Sequence, residues 1–282
     1  MISMPLPESK ITELKKICKD LRKSILKMAH AAKSGHPGGS LSAVEILAVL
    51  YFEIMKYDPQ NPNWHERDRL VVSKGHSTPL VYTVLAKAGY YKGDDLLTFR
   101  QLGSPYQGHT DRLRAPGIET STGSLGHGTS FAVGAALGCR LDKLNNRVYV
   151  LQSDGELQEG STWEAIMSAS HYHLGNLTAI IDRNRIQLDG WTEETMALEP
   201  INKRYEAFGW HVQEVDGHNL NQIYDAIIKT QEIGKEENKP CAIIAHTVKG
   251  KGISFMENEV KWHGVAPGDE ELKKALEEIE GV

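Results

Sequence analysis

Five short β-rich runs, most of them nearly continuously apolar and separated by helix-length segments, constrain the fold of this chain more than any other feature. They read RLVVS (69–73), RVYVLQ (147–152), LTAIID (177–182), HVQEV (211–215) and CAIIAH (241–246). A strand wetted on one face alternates apolar and polar residues, whereas runs that are apolar at nearly every position belong to strands covered on both faces. With helix-length connections between them, they predict an α/β fold: a doubly wound, mostly parallel sheet with helices on both faces. Ligands bind such sheets beyond the carboxyl ends of the strands. Polar residues just after the runs are therefore the first candidates for chemistry, namely Ser73–His76, Ser153–Glu156, Asp182–Asn184 and His246–Gly252.

Ahead of the first run, Ile11, Leu14, Ile17, Leu21, Ile25 and Met28 recur at three and four residues. This spacing predicts an amphipathic helix from Lys10 to Lys33 that stops before Gly35. A second helix is expected from Ser42 to Met55, closed by Pro59 and Pro62, with the Gly/Pro-rich SGHPGGS as the connection between the two. The charged DEELKKALEEIE reads as a solvated terminal helix. The 282 residues, 40% of them hydrophobic, show no repeat or linker, so a single domain over 1–282 with a helical N-terminal segment is expected.

A formal charge of −5 supplies no basic field to gather nucleic acid or an anionic membrane. No apolar run approaches the ~20 residues of a membrane span. Cys18, Cys139 and Cys241 form no CxxC pair and leave an odd count. That pattern argues against a disulfide framework and for a reducing, cytoplasmic setting.

The sharpest local pattern begins at Ser153-Asp154-Gly155-Glu156, directly after RVYVLQ, and continues thirty positions later with Asn184 in Asp182-Arg183-Asn184, directly after LTAIID. Neighbouring parallel strands would bring Asp154 and Asn184 together. Mg²⁺ takes about six oxygens, of which a protein commonly supplies only a few while phosphate and water supply the rest. Asp154, Asn184 and the backbone carbonyl of Ile186 could form that protein share, leaving room for two diphosphate oxygens. Gly155 permits close backbone approach, and N–H groups at the following helix start can face phosphate. The negative charge is then balanced by metal and dipoles, without a lysine cluster. A strand-end carboxylate in this role should matter little to the stability of the unliganded chain.

This pair of segments resembles the thiamine-diphosphate fingerprint, which in many proteins runs from Gly-Asp-Gly to Asn-Asn over about this distance. Ser153 and Arg183 depart from it without removing a metal ligand. Further segments, SGHPGGSLS (34–42), SKGHSTP (73–79), GHTD (108–111), TGSLGHG (122–128), DGELQEGSTWEA (154–165), IQLDGWTEE (186–194) and HTVKGKG (246–252) followed by His263-Gly264, look like transketolase in content and order. The resemblance implies that Asp154, Asn184 and Ile186 hold Mg²⁺, or Ca²⁺ or Mn²⁺ as substitutes. Gly155, His76 and His263 would contact the diphosphate, and Gly123, Ser124 and Leu125 would lie along the cofactor. His36, His76, His109 and His263 would surround the substrate side.

The family's reaction moves a two-carbon ketol unit from a ketose phosphate to an aldose phosphate. Its cofactor lies between two domains, the second of which supplies a catalytic glutamate and the sugar-phosphate site. Neither is recognisable in these 282 residues. A separate C-terminal subunit is the expected partner, in an α₂β₂ assembly, with a fragment of a longer enzyme as the alternative. Two other readings stay open. One is a subunit of a different thiamine enzyme, such as a 2-oxo-acid dehydrogenase or a deoxyxylulose-phosphate synthase; the other is a thiamine-diphosphate-binding protein without catalysis.

Overall fold

The first helix, α1 (Glu8–Ala32), buries Leu14, Ile17, Leu21, Ile25 and Met28 along one face, as the spacing of those residues requires. It is described, like every residue from 5 to 281, by a computed structural model. The helix ends where Lys33 turns into the left-handed region at φ 51° and its N–H satisfies carbonyls of the last turn.

The next segment departs from expectation. SGHPGGS is not simply a connection, because Pro37–Leu41 forms a short helix, α2, with Pro37 in its first turn. Proline fits there because its fixed φ is helical and the N–H it lacks would have no partner. The single helix expected from Ser42 to Met55 is broken at its start and loosened at its end. Ser42 lies outside it, its hydroxyl donating to Asp182 at 2.6 Å. The helix α3 runs over Val44–Val49, and Leu50–Ile54 widens into a π-helical turn.

The five apolar runs all become strands: β1 (Arg69–Val72), β2 (Val148–Ser153), β3 (Leu177–Arg183), β4 (His211–Asp216) and β5 (Cys241–His246). They form one sheet of order β1-β2-β3-β5-β4 in which every pairing is parallel. The connections carry α4 (Thr78–Lys87), α5 (His127–Leu141), α6 (Gly160–His171), α7 (Thr192–Thr195), α8 (Ile201–Ala207) and α9 (Leu220–Glu237), and α10 (Asp269–Gly281) closes the described chain.

Successive strand residues point to opposite faces, so the apolar runs feed two cores at once. Leu70, Tyr149, Leu151, Ile180 and Ile243 pack with residues of α1, α3, α4, α9 and α10. Val71, Val150, Ala179, Ile181 and Ile244 pack with residues of α5, α6 and α8. Only β4, an edge strand, is mostly half-buried, which accounts for the polar residues in HVQEV. The register sets Ser153 of β2 beside Asp182 of β3, and Arg183 of β3 beside His246 of β5. Three strands thus end at one level, and the loops that leave them share a single rim.

Candidate active site

Asp154 is the first residue beyond β2, and its buried carboxylate is fully engaged. One oxygen accepts from Gly155 N at 2.8 Å; the other accepts from Arg185 N at 2.5 Å and Arg183 Nη1 at 2.8 Å. Burial pushes this carboxyl upward, and the Arg183 guanidinium opposes the rise. The expectation that Asp154 matters little to unliganded stability is therefore corrected: its removal would leave Arg183, itself 2% exposed, short of a buried partner.

Asn184 stands one strand over. Its amide nitrogen donates to Asp182 Oδ2 at 2.9 Å, and its Oδ1 accepts from Ile186 N at 3.2 Å. The Ile186 carbonyl accepts from Lys249 Nζ at 2.9 Å. Asp154, Asn184 and Ile186 therefore present hard oxygens, one anionic and two neutral, on adjacent loops. Cations of the chain already stand at two of them, Arg183 at Asp154 and Lys249 at Ile186. In chemical kind this donor set fits a divalent metal that keeps phosphate and water as its other ligands.

Three details differ from expectation. The turn after Gly155 is a 3-10 segment, Gly155–Gln158, and α6 begins only at Gly160. Gly155 is required for approach of its own chain, since a Cβ there would lie 2.8 Å from Gln187 Cβ. Charge at the site is not left to metal and dipoles either. Lys74 and Lys249 are both buried at the rim, and burial holds Lys249 down at about 8, partly offset by Asp154.

Lys74 is neutralised by Asp182, a hub that also accepts from Ser42, Thr247 and Asn184. Burial alone would raise the Asp182 carboxyl, but Lys74 and these donors hold it below the usual range. The hub ties β3 to α2 and to the loops after β1 and β5. Glu156 ties the loops after β1 and before α5 to the end of β2, accepting from Ser73 Oγ, Gly126 N at 2.7 Å and Ser153 N at 3.3 Å.

The four expected histidines converge. The His36 ring centroid lies 5.2 Å from His76, 6.2 Å from His109 and 5.6 Å from His263, and His76 and His263 stack at 5.3 Å. Glycines make the convergence possible: a Cβ on Gly38 would lie 2.7 Å from Trp262 O, and one on Gly75 would lie 2.5 Å from the Thr122 carbonyl carbon. Gly123 packs directly against the His109 ring. Ser124 is exposed and Leu125 half-buried on the loop that leads into α5.

Burial, reinforced by nearby cations, lowers all four rings. His36 is held at about 4 with Arg100 as the next cause, and His263 at about 3 with Lys249 next. His76 falls well below its ordinary value through burial and Lys74, and His109 falls through burial and Arg100. All four are neutral near pH 7 and can each donate one hydrogen bond and accept another. Other histidines have structural partners, as His30 with Asp269, His218 with Glu45 and His246 with Glu214.

Lys74, Lys249, Asp182 and Glu156 lay within the candidate strand-end segments but were assigned no role, and Arg100 lay outside them. The first two sit inside SKGHSTP and HTVKGKG at strand ends, so their position was a signal; their burial was not legible.

A doubly wound sheet with metal-type oxygens and neutral imidazoles at its carboxyl rim defines the class: a cofactor-binding α/β domain. Residues 14–280 match the family described as transketolase, thiamine diphosphate binding domain. The chain is 45% identical over 260 residues to a 6-deoxy-6-sulfo-D-fructose transketolase subunit of Clostridium sp. strain MSTE9, covering 92% of this chain and 94% of that one. It is 43% identical over 258 residues to an apulose-4-phosphate transketolase subunit of Phocaeicola vulgatus, covering 92% of this chain and 90% of that one.

Among solved structures, the transketolase of Campylobacter jejuni superposes with a TM-score of 0.89 at 36% identity, over 95% of this chain and 43% of that one. The transketolase of Leishmania mexicana gives 0.88 at 34% identity, over 95% and 41%. The chain thus spans less than half the length of those transketolases but nearly all of the subunit-type relatives. It belongs to the transketolase family, as its thiamine-diphosphate-binding domain.

Proposed function

We propose that this protein is the N-terminal subunit of a two-chain transketolase that moves a two-carbon ketol unit from a ketose phosphate to an aldose phosphate. The observation that carries this reading is the convergence of four neutral imidazoles beside the oxygen set of Asp154, Asn184 and Ile186. Those three oxygens would hold Mg²⁺, with Ca²⁺ or Mn²⁺ as substitutes. Gly155, His76, His263 and Lys249 would face the diphosphate of thiamine diphosphate, and Gly123, Ser124 and Leu125 would line its ring end. When bound, the cofactor supplies the electron sink for carbon–carbon bond cleavage and formation.

The chain's own part is polar and geometric. His36 and His109 orient substrate hydroxyls through hydrogen bonds from neutral rings. Lys249 offsets phosphate charge, while Lys74 is already paired with Asp182.

A C-terminal subunit is the partner in this reading, in an α₂β₂ complex of the cytoplasm. Leu102, Leu113, Leu188, Trp191, Met196 and Val265 stand exposed on the very segments that carry His109, Asn184, Ile186 and His263. Apolar side chains so placed favour cover by another protein surface. The relatives that match nearly end to end are named as subunits. Cys18, Cys139 and Cys241 are buried and free, as suits a reducing compartment.

The test is an assay of ketol transfer with thiamine diphosphate and Mg²⁺, using the chain alone and the chain mixed with a C-terminal transketolase subunit. No turnover alone and turnover on mixing is expected. Turnover by the chain alone would refute the divided site, and cofactor binding without turnover in any mixture would favour the non-catalytic reading.

A further inference from the structure

Arg100 is held beside the histidine cluster by its backbone and by several contacts of its guanidinium, which also lies over the Phe99 ring at 5.4 Å. Its backbone is in the left-handed region at φ 60°, which a non-glycine residue adopts only when its surroundings impose it. The preceding Phe99 is fully buried and anchors the turn. Nη1 donates to Ser34 Oγ at 2.7 Å, while Nη2 faces His36 Nδ1 at 3.4 Å and Gly108 O at 3.5 Å. Its Nε is buried without a partner. Gly108 makes room for this guanidinium, since a Cβ there would lie 2.6 Å from Nε.

A guanidinium has donors only. The His36 nitrogen that faces it must therefore be the acceptor, which leaves the ring proton on Nε2. The contact is long, at 3.4 Å. Ser34 holds the other end of the fork, so the approach of Nη2 to Nδ1 is fixed from outside the ring cluster.

We propose that Arg100 is a positioning residue that fixes His36 as the Nε2–H tautomer, so that this ring enters the cleft as a hydrogen-bond donor. The functional half of this inference rests on the ketol-transfer reading; the tautomer itself does not. Without Arg100 the ring could present a lone pair as readily as a proton, and a substrate oxygen would lose its donor in part of the population.

The experiment uses the full chain labelled with ¹⁵N-histidine. Long-range ¹H–¹⁵N spectra distinguish protonated from bare ring nitrogens, with His36 identified by loss of its signals in His36→Asn. A single Nε2–H form is expected in the wild type, a mixture in Arg100→Met, and restoration of Nε2–H in Arg100→Lys, which keeps one donor. Ser34→Ala, a gentler change that frees the fork, should also mix the forms and serves if Arg100→Met does not fold. A wild-type Nδ1–H form, or a His36 spectrum unchanged in Arg100→Met and Ser34→Ala, overturns the proposal.

With the C-terminal subunit present, Arg100→Met should lower kcat roughly 10- to 100-fold and leave the affinity for thiamine diphosphate unchanged, with partial recovery in Arg100→Lys. Wild-type kcat in Arg100→Met would overturn the positioning role. Absence of turnover in the wild type as well would count against the ketol-transfer reading, and the spectra would still decide the tautomer.

Discussion

On the side of β2 and β3 the cleft is lined with charge, and on the side of the glycine-rich loops it is lined with rings that carry none. Asp154, Asp182 and Glu156 are buried together with Arg183, Lys74 and Lys249, each acid meeting a base or several N–H and O–H donors. His36, His76, His109 and His263 pack on one another, with Arg100 at His36 and Lys249 at His263, and burial disfavours their second ring proton. Ion pairs in a low dielectric fix geometry strongly but are costly to break. Neutral rings cost less to bury, yet each can serve as donor or acceptor. The charged side suits an ion and a diphosphate, whose places do not change during a reaction. The neutral side suits hydroxyls whose protons move.

The largest expected effect tests the charged side. Asp154→Ala should weaken Mg²⁺-dependent binding of thiamine diphosphate by at least about 100-fold, since losing a ligand costs no less than losing an outer-shell partner. It should also lower unliganded stability by about 2 kcal/mol, because Arg183 loses one buried partner while Glu199 remains at 2.8 Å. Asn184→Ala should lose less affinity, as the anionic ligand stays. Calorimetry with the cofactor, and urea melts without it, read the two quantities. Undiminished cofactor affinity in Asp154→Ala would remove the metal assignment.

On the neutral side, His36→Ala and His109→Ala should lower kcat/KM about 100-fold in the reconstituted enzyme while cofactor affinity stays near wild type. His76→Ala and His263→Ala should affect both, because these rings stack on each other next to Lys249 and Lys74. Equal loss of cofactor affinity across all four variants would erase the distinction between the two sides.

A smaller effect should appear where the sides meet. Lys249, held at about 8 by burial, is part neutral at pH 8–9. An arriving diphosphate favours the ammonium and raises that value, so binding takes up a proton in this range and affinity falls as pH rises above about 8. Calorimetry in buffers of different ionisation enthalpy should register the uptake at pH 8.5 in the wild type. In Lys249→Met the uptake should be gone; if it persists, another group carries it.

The contrast also explains what could be read in the chain. β1, β2, β3, β5 and α1 were legible because burial on both faces or along one stripe writes itself directly into apolar spacing. Asp154, Asn184 and His76 were named from segments just after strand ends, and His36, His109 and His263 from the resemblance alone; the fold brings the four rings together. Lys74 and Lys249 lay in the candidate segments but were given no role, because a lysine in a loop looks solvated and only the tertiary fold encloses it. The break between α2 and α3 was missed for a related reason: the claim of Asp182 on Ser42 spans 140 residues, and no local pattern encodes it. Arg100 shows the same limit, since its strained turn is imposed by neighbours distant in sequence.

The smallest effect concerns the unliganded chain in mild acid. In the unfolded chain His36 would titrate near 6.5, whereas in the fold it is held at about 4, with burial as the main cause and Arg100 next. Between those values the unfolded state binds the proton that the folded state refuses. Stability from this residue is therefore unaffected above about pH 6.5 and declines as pH falls toward 4. Buried carboxyls such as Glu156 and Asp154, raised by burial, act in the opposite sense over part of this range, so the total slope does not isolate the histidine. A difference does. His36→Phe keeps an aromatic ring among its neighbours but cannot take a proton in either state. The gap in stability between wild type and His36→Phe, measured by urea melts at pH 7 and pH 5, should shift toward the variant on acidification. The half-exposed position of the ring keeps the shift small, below the effect of Asp154→Ala. A gap that stays constant between the two pH values would mean that His36 titrates alike in both states, and that solvent, not burial, governs the neutral side of the cleft.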